Sequence, residues 1–249
     1  MKLISNVCYG KEKCSEQYLD IYLPDTDSFE VFVYMHGGGL EAGDKADAKA
    51  VGEYVANHGA AFVSVNYRMY PQASYPQFIC DSAEAVAWVY NNIGAYGTCE
   101  GIYIGGSSAG GYISMMLCFD GKYLAPYSLP EGLIKGYVHD AGQPTTHYNV
   151  LRERGIDSRR VIVDEAAPLY HIGTAENYPP MIFIVSDNDM KNRYEQTQLI
   201  LSTLKHFEYD ENKVRYRLMH GKHCHYSKKE EFGKIICEFI KETKKCKEA

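Results

Sequence analysis

The chain has 249 residues, of which 45% are hydrophobic and 23% are charged, a composition typical of a globular protein with one domain. Its formal net charge of −6 makes it a poor partner for a polyanion, so we expect no nucleic-acid function. No stretch of sequence reaches the roughly 18 apolar residues that a membrane span needs. The N-terminal residues also lack the apolar run of a signal peptide, so we expect no membrane partner.

The eight cysteines form no CxxC pair and no regular framework. In a chain of this size they are typical of reduced thiols in a cytoplasmic protein, although the even count leaves disulfides as an alternative. They are Cys8, Cys14, Cys80, Cys99, Cys118, Cys224, Cys237 and Cys246.

Strand-like and helix-like segments alternate along most of the chain. In chain order the pattern predicts strands at 17–23 and 30–35, a helix at 46–58, a strand at 60–66, a helix at 76–91, a strand at 101–106, a helix at 109–119, strands at 134–139 and 181–186, a helix at 194–207, an outer strand at 213–219 and an amphipathic helix at 228–244. Asp44 is a candidate N-cap for the first helix. This alternation predicts an α/β fold with a mainly parallel sheet covered by helices on both faces.

Residues 141–179 interrupt the alternation, with weak periodicity and several His and Tyr residues. We interpret this segment as a short, lid-like insertion over one end of the sheet, within a single domain that spans residues 1–249. Its fragment HYNVLRERG is compatible with a short helix.

The sequence GSSAG at residues 106–110, here called the serine turn, lies between a predicted strand and a predicted helix. A sharp turn at such a junction exposes the hydroxyl of its central residue and requires small neighbours, because the chain folds back closely. The N-terminus of the following helix favours negative charge at the same place. The pattern therefore makes Ser108 a candidate nucleophile; the alternative is an incidental serine in a glycine-rich turn.

The sequence HGGG at residues 36–39, here called the glycine loop, directly follows the strand at 30–35. Successive glycines leave backbone N–H groups unobstructed, so Gly37, Gly38 and Gly39 can supply one or two donors to an oxyanion together with Ala109. We take Gly38, Gly39 and Ala109 as the candidate oxyanion hole. A phosphate-binding loop is the alternative, but no GxGxxG or GK[ST] pattern follows. His36 is expected to brace the loop by hydrogen bonding.

The glycine loop, the run NYRMYP at residues 66–71, the serine turn and the order of elements resemble the α/β-hydrolase fold. Within that fold, the chain is similar to the hormone-sensitive-lipase-like and bacterial carbohydrate-esterase branches, over about residues 16–241. The resemblance implies hydrolysis of carboxylic esters by a Ser–acid–His triad in that chain order. Departures are Met69 and Tyr70, where many relatives carry Leu-Ala, and the lack of the long N-terminal cap of the lipase-like branch; the latter favours the carbohydrate-esterase branch.

The resemblance also points to the other two members of the triad. It implies that the acid follows the strand at 181–186, three positions after Ser186, which gives Asp189 with Asp187 as the alternative. It implies that the base follows the last strand, which gives His223. Asp140 is a minor candidate for the acid.

Several neighbouring residues need an interpretation of their own. The cluster of His220, His223, Cys224 and His225 suggests a metal site. However, these residues lie in a loop, their spacing is not typical of metal ligands, and the cluster has no obvious carboxylate, so we predict no metal. We expect Cys224 to be a packing residue. Relatives often have a structural ion pair that supports the oxyanion loop, which implies that role for Arg68 and Asp81.

These inferences predict a serine carboxylesterase without a cofactor, acting on a small-molecule or oligosaccharide ester. The resemblance suggests acetyl or hydroxycinnamoyl esters of carbohydrates. Tyr148, Tyr170 and Tyr178 in the insertion are candidates for binding sugar or phenolic rings. The alternatives are a peptidase or amidase with the same triad, and a non-catalytic hydrolase homologue that binds a small molecule.

Overall fold

A computed structural model describes residues 1–11 and 16–248. Its centre is an eight-stranded sheet with the order β1-β2-β4-β3-β5-β6-β7-β8. The strands are β1 Lys2–Cys8, β2 Tyr18–Leu23, β3 Ser28–Met35, β4 Ala61–Val65, β5 Thr98–Ser107, β6 Ile134–Asp140, β7 Met181–Asn188 and β8 Val214–Lys222. The pairs β1–β2 and β2–β4 are antiparallel and the other pairs are parallel, which confirms the predicted sheet.

Helices cover both faces of this sheet, as predicted. They are α1 Lys49–Asn57, α2 Gln77–Asn92, α3 Ala109–Phe119, α4 Tyr148–Glu153, α5 Arg193–His206 and α6 Glu230–Glu248. Successive side chains of a strand point to opposite faces. Along β3, Val31 and Val33 belong to the core that includes α2, α3 and α5, whereas Phe32 and Tyr34 belong to the core that includes α1 and α6. This alternation explains why the inner strands are apolar on both sides.

The structure differs from the predicted elements in two places. Strand β1 was not predicted, because most of its side chains are exposed and it is held by backbone pairing with β2. The first predicted helix begins with a 3-10 turn at Lys45–Ala48, so α1 starts only at Lys49. Asp44 does cap this turn, since its Oδ1 accepts a hydrogen bond of 2.8 Å from the backbone N–H of Ala46. The other predicted elements are confirmed, with ends shifted by no more than four residues.

The sheet topology determines where a site can form. Strands β3, β5, β6, β7 and β8 are parallel, so their carboxyl ends meet at one edge. The glycine loop, the serine turn and the candidate acid and base all follow those ends. Within the described residues, no helix combines the length and the apolar character needed to cross a membrane.

Candidate active site

Ser108 lies in the sharp turn that joins β5 to α3. Its backbone has φ +56° and ψ −111°, an unusual conformation for a residue with a side chain. The turn brings its two outer glycines against the end of β3, so that a Cβ atom at Gly110 would collide with the carbonyl oxygen of Met35. The backbone N–H of Ser108 also donates to the carbonyl oxygen of Asp140, at 2.7 Å. Close backbone packing therefore explains both the glycines and the exposed orientation of the serine.

The hydroxyl of Ser108 is in contact with an imidazole that follows β8. Its Oγ lies 2.8 Å from Nε2 of His223. On the other side of the ring, Nδ1 of His223 lies 2.5 Å from Oδ1 of Asp189. The three residues selected from the sequence thus form one continuous chain of hydrogen bonds.

Asp189 is fixed in its orientation by further bonds. Its side chain is fully buried, and it accepts hydrogen bonds from the backbone N–H groups of Ser186 and Met190. Burial alone would raise the pKa of Asp189, but the hydrogen bond with His223 and these backbone donors outweigh it, so that the pKa lies below its ordinary value. The group is therefore a carboxylate at neutral pH, as a partner of an imidazolium needs to be.

The alternative acid, Asp187, has different partners. Its Oδ2 lies 2.7 Å from Nδ1 of His220, and its Oδ1 accepts a hydrogen bond of 2.8 Å from the backbone N–H of Gly221. These bonds connect the end of β7 to the end of β8. The geometry thus gives Asp187 a role in holding the base loop (residues 220–226), not in contacting His223.

The glycine loop lies directly beside the nucleophile. A Cβ atom at Gly37 would be 3.3 Å from Cβ of Ser108, and positive φ angles of +114° at Gly38 and +68° at Gly39 turn the chain sharply. Among the described residues, the backbone N–H groups of Gly38 and Gly39 donate to no other group. Ala109 is the first residue of α3, next to Ser108. The two chain segments next to Ser108, the glycine loop and the start of α3, therefore carry backbone N–H groups that can serve as oxyanion donors.

The structure contains both of the interactions that the sequence suggested as supports for the glycine loop. The ring of His36 stacks on Tyr67 with centroids 4.5 Å apart, and its Nδ1 lies 2.7 Å from the carbonyl oxygen of Gly37. This confirms the bracing role expected for His36. The guanidinium of Arg68 binds the buried carboxylate of Asp81 with both Nε and Nη2, at 2.9 and 2.7 Å, which confirms the predicted ion pair.

Asp140, the minor candidate for the acid, is completely buried at the end of β6. Its Oδ1 accepts a hydrogen bond of 2.5 Å from the hydroxyl of Tyr226, in the base loop. Burial raises the pKa of Asp140 to about 6. The residue links the base loop to the strand that also binds the backbone of Ser108.

His225 and Cys224, the remaining members of the histidine cluster, contact different groups. Nδ1 of His225 lies 3.0 Å from the carbonyl oxygen of Lys222, and Sγ of Cys224 lies 3.6 Å from Nε2 of His223. Burial raises the pKa of the Cys224 thiol well above its ordinary value, so the thiol stays neutral. Within the described part of the chain, no three His, Cys, Asp or Glu side chains are placed to hold a metal ion together.

An open cleft of about 760 Å³ leads to Ser108 and His223. Tyr148 lines this cleft, with its hydroxyl close to Gly39, as the sequence suggested. Tyr170 does not line it: the turn that begins at Pro168 leaves this ring 59% exposed and beside His171. Tyr178 also lies elsewhere, packed in the core against Phe119. Of the three tyrosines, the cleft is therefore lined by Tyr148 alone.

Three residues that contribute to the site were not found from the sequence: Asn149, Arg193 and Tyr226. Each acts through a contact with a residue distant in the chain, Gly39, Ala141 and Asp140 respectively. No local pattern marks them.

Comparisons with known proteins find similar sequences and similar structures. The family model described as BD-FAE matches residues 19–124. A probable isoprenylcysteine alpha-carbonyl methylesterase of Arabidopsis thaliana is 34% identical over 105 residues, which cover 41% of this chain and 25% of that protein. Esterase LipC of Mycobacterium tuberculosis is 27% identical over 225 residues, which cover 80% of this chain and 54% of that protein. The chain thus spans between a quarter and about half of the length of these two relatives.

Among solved structures, a truncated carbohydrate esterase from gut microbiota superposes with a TM-score of 0.79 at 20% identity, covering 98% of this chain and 96% of that one. Esterase B from Lactobacillus rhamnosus superposes with a TM-score of 0.78 at 17% identity, covering 99% and 87%. The sheet topology and these similarities show that the chain has the α/β-hydrolase fold, which confirms the predicted fold. The relatives that it matches in sequence carry the names of esterases.

Proposed function

We propose that the protein is a serine carboxylesterase in which Ser108 attacks the acyl carbon of the substrate. The observation that carries this proposal is the chain of contacts from Ser108 Oγ to His223 Nε2, at 2.8 Å, and from His223 Nδ1 to Asp189, at 2.5 Å. The sequence relatives named esterases support it.

In this mechanism His223 takes the proton of Ser108 as Oγ forms its bond to the acyl carbon. Asp189 holds the imidazole in the right tautomer and stabilises the imidazolium that forms. The negative charge on the former carbonyl oxygen is stabilised by the N–H groups of Gly38, Gly39 and Ala109. His223 then gives its proton to the departing alcohol, and water, activated by the same imidazole, releases the acid from Ser108. Each step uses side chains and backbone groups of the protein itself, so the proposal includes no cofactor.

The substrates proposed are acetyl or hydroxycinnamoyl esters of carbohydrates. The cleft is open and its rim carries the ion pair between Lys228 and Asp47, at 2.9 Å, which suits a hydrophilic alcohol group. Tyr148 offers an aromatic surface beside Gly39 for a sugar or phenolic ring. The structural similarity to a carbohydrate esterase supports the same choice. We further propose a cytoplasmic location, supported by the six cysteines that the structure describes, all of which are free.

Labelling with a fluorophosphonate tests the nucleophile. The intact protein should be labelled covalently, and Ser108→Ala should abolish the labelling, because no other hydroxyl contacts His223 among the described residues. Ser107→Ala is the matched control, since it removes the neighbouring buried hydroxyl and should leave labelling intact. An intact protein that resists the reagent would favour a non-catalytic hydrolase homologue.

A substrate panel tests the specificity. It should contain aryl esters from acetate to octanoate, acetylated xylo-oligosaccharides, methyl ferulate and matched anilides. We expect the highest kcat/KM on the acetylated or feruloylated carbohydrates. Preference for long-chain aryl esters would refute the carbohydrate assignment, and preference for the anilides would point to an amidase.

A further inference from the structure

The first residues of the insertion carry an unusual row of polar side chains that are almost completely buried. They are Gln143, Thr145, Thr146, His147 and Asn149, each with at most 6% of its surface exposed. Buried polar groups are normally paired, since an unpaired one loses its hydrogen bonds to water. The hydrogen-bond partners of these five side chains therefore show which parts of the site the segment holds in place.

Asn149 binds the glycine loop directly. Its Nδ2 donates a hydrogen bond of 2.6 Å to the carbonyl oxygen of Gly39, and its Oδ1 accepts one of 2.6 Å from Nη2 of Arg152. Arg152 also forms an ion pair with Glu41, two residues beyond the end of the glycine loop. Helix α4 therefore contacts the chain on both sides of the buried Leu40, at Gly39 and at Glu41.

The other end of the row is fixed near the candidate acid. Oε1 of Gln143 accepts hydrogen bonds of 3.4 Å from Arg193 and from the backbone N–H of Tyr148. Arg193 is buried and also donates to the carbonyl oxygen of Ala141, at 2.8 Å. Because Arg193 lies four residues after Asp189, the row connects the acid side of the cleft with its oxyanion side.

The glycine loop is held partly by its own backbone and partly from outside: the carbonyl oxygen of Gly38 accepts hydrogen bonds from the backbone N–H groups of Glu41 and Ala42, whereas that of Gly39 accepts one from Asn149. Glycine has few steric barriers to backbone rotation, so three glycines in succession do not fix the direction of their own N–H groups. The bond from Asn149 fixes the peptide between Gly39 and Leu40, so that both peptides of Gly39 are held and its N–H group keeps one direction. Misplacing an oxyanion donor by about 1 Å is enough to lose a large part of its effect.

We propose that Asn149 is a positioning residue that keeps the N–H group of Gly39 directed at the reacting carbonyl, and that the first part of the insertion is a fixed brace instead of an opening lid. This inference rests on the proposed esterase function. It assigns to the insertion a role in transition-state stabilisation, in addition to lining the cleft.

The test compares three variants in steady-state hydrolysis of p-nitrophenyl acetate. Asn149→Leu removes the donor while keeping most of the volume, and Asn149→Asp keeps the shape but replaces the donor by a carboxylate facing a carbonyl oxygen. Both should lower kcat by about 10- to 100-fold, with KM changed by less than about threefold. The rate of fluorophosphonate labelling should fall in parallel.

Thr146→Val is the matched control. It deletes a buried hydroxyl of the same row, which donates to Asp164 at 2.8 Å and does not touch the glycine loop. It should lower stability without the loss in kcat. If all three variants lose activity equally, or if the Asn149 variants change only KM, the positioning role is refuted while the esterase function stands. If the unmodified protein neither hydrolyses the ester nor reacts with the fluorophosphonate, the proposed function itself fails.

Discussion

The serine turn and the two loops that carry the candidate acid and base are built in different ways. Every residue of the serine turn except Ser108 is buried, and backbone contacts with β3 and β6 fix its conformation. The residues of the acid loop (residues 187–190) and of the base loop, in contrast, are exposed or half-buried apart from Tyr226, and they include competing carboxylates and imidazoles. Side-chain hydrogen bonds, such as those of Asp187 and Asp189, decide which of these groups meet.

The difference explains how substitutions should act in each region. In the serine turn, a change of shape disturbs backbone packing, so stability should respond first. In the acid and base loops, a change of one polar atom disturbs the alignment of His223, so activity should respond first. The four predictions below test this contrast, from the largest expected effect to the smallest.

The largest effect is expected from the two aspartates of the acid loop. Asp189→Asn should lower kcat by about 10⁴-fold, because it no longer holds the reactive tautomer of His223 or stabilises its charged form. Asp187→Asn should lower kcat by less than about tenfold, because Asp187 contacts His220 and Gly221 instead. Ester hydrolysis by the two purified variants, at equal protein stability, measures the contrast. Equal losses would contradict the assignment of Asp189.

In the serine turn, Gly110→Ala should lower the free energy of unfolding by about 3 kcal/mol or more. The added methyl group would collide with the backbone of β3 at Met35, which cannot move away as a side chain can. Gly121→Ala is the control, since no atom lies within 4 Å of its added Cβ, and it should change stability by less than about 0.5 kcal/mol. Urea denaturation of both variants gives the values. A similar change in both would show that the packing at Met35 is not what fixes the turn.

Asp140 connects the two regions, and its effect should depend on pH. Burial raises its pKa from 3.8 to about 6, so the folded protein binds the proton more tightly than the unfolded chain. Stability should therefore fall as the pH rises from about 4 to 6, by up to about 3 kcal/mol. Asp140→Asn should remove this loss and be more stable than the unmodified protein at pH 7.

Denaturation at several pH values measures this effect, and Tyr226→Phe is the matched variant. It removes the hydroxyl that donates to Asp140 at 2.5 Å but keeps the buried carboxyl group. The pH dependence should then persist or increase, because the ionised form has lost a donor. An Asp140→Asn variant with the pH dependence of the unmodified protein would assign the effect to other groups.

The smallest effect distinguishes two tyrosines of the insertion. Tyr148→Ala should raise KM for feruloylated or acetylated sugars by about tenfold, roughly the value of one aromatic contact. Tyr170→Ala should leave KM unchanged, because this ring lies outside the cleft. Initial-rate measurements on one carbohydrate ester are sufficient. A rise in KM for Tyr170→Ala alone would mean that the substrate extends beyond the cleft described above.

The features that could be predicted from the sequence are those that depend on residues close together in the chain. Ser108 and the glycine loop were found because each depends on glycines that are close together in the chain. The sequence left both Asp189 and Asp187 as candidates for the acid, because hydrogen-bond partners 33 and 34 residues away decide between them. Strand β1 and Asn149 were missed, since the first is held by backbone pairing and the second by a contact 110 residues away. Tyr170 was grouped with Tyr148, although a turn at Pro168 separates the two rings.

The conformation of Ser108 has an evolutionary consequence. A non-glycine residue with φ +56° and ψ −111° is disfavoured by about 1–3 kcal/mol, whereas glycine adopts such angles without a steric penalty. Stability alone would therefore select Gly at this position, and the proposed role as nucleophile accounts for Ser. In a lineage that no longer hydrolyses its substrate, position 108 should drift toward glycine before the surrounding core changes.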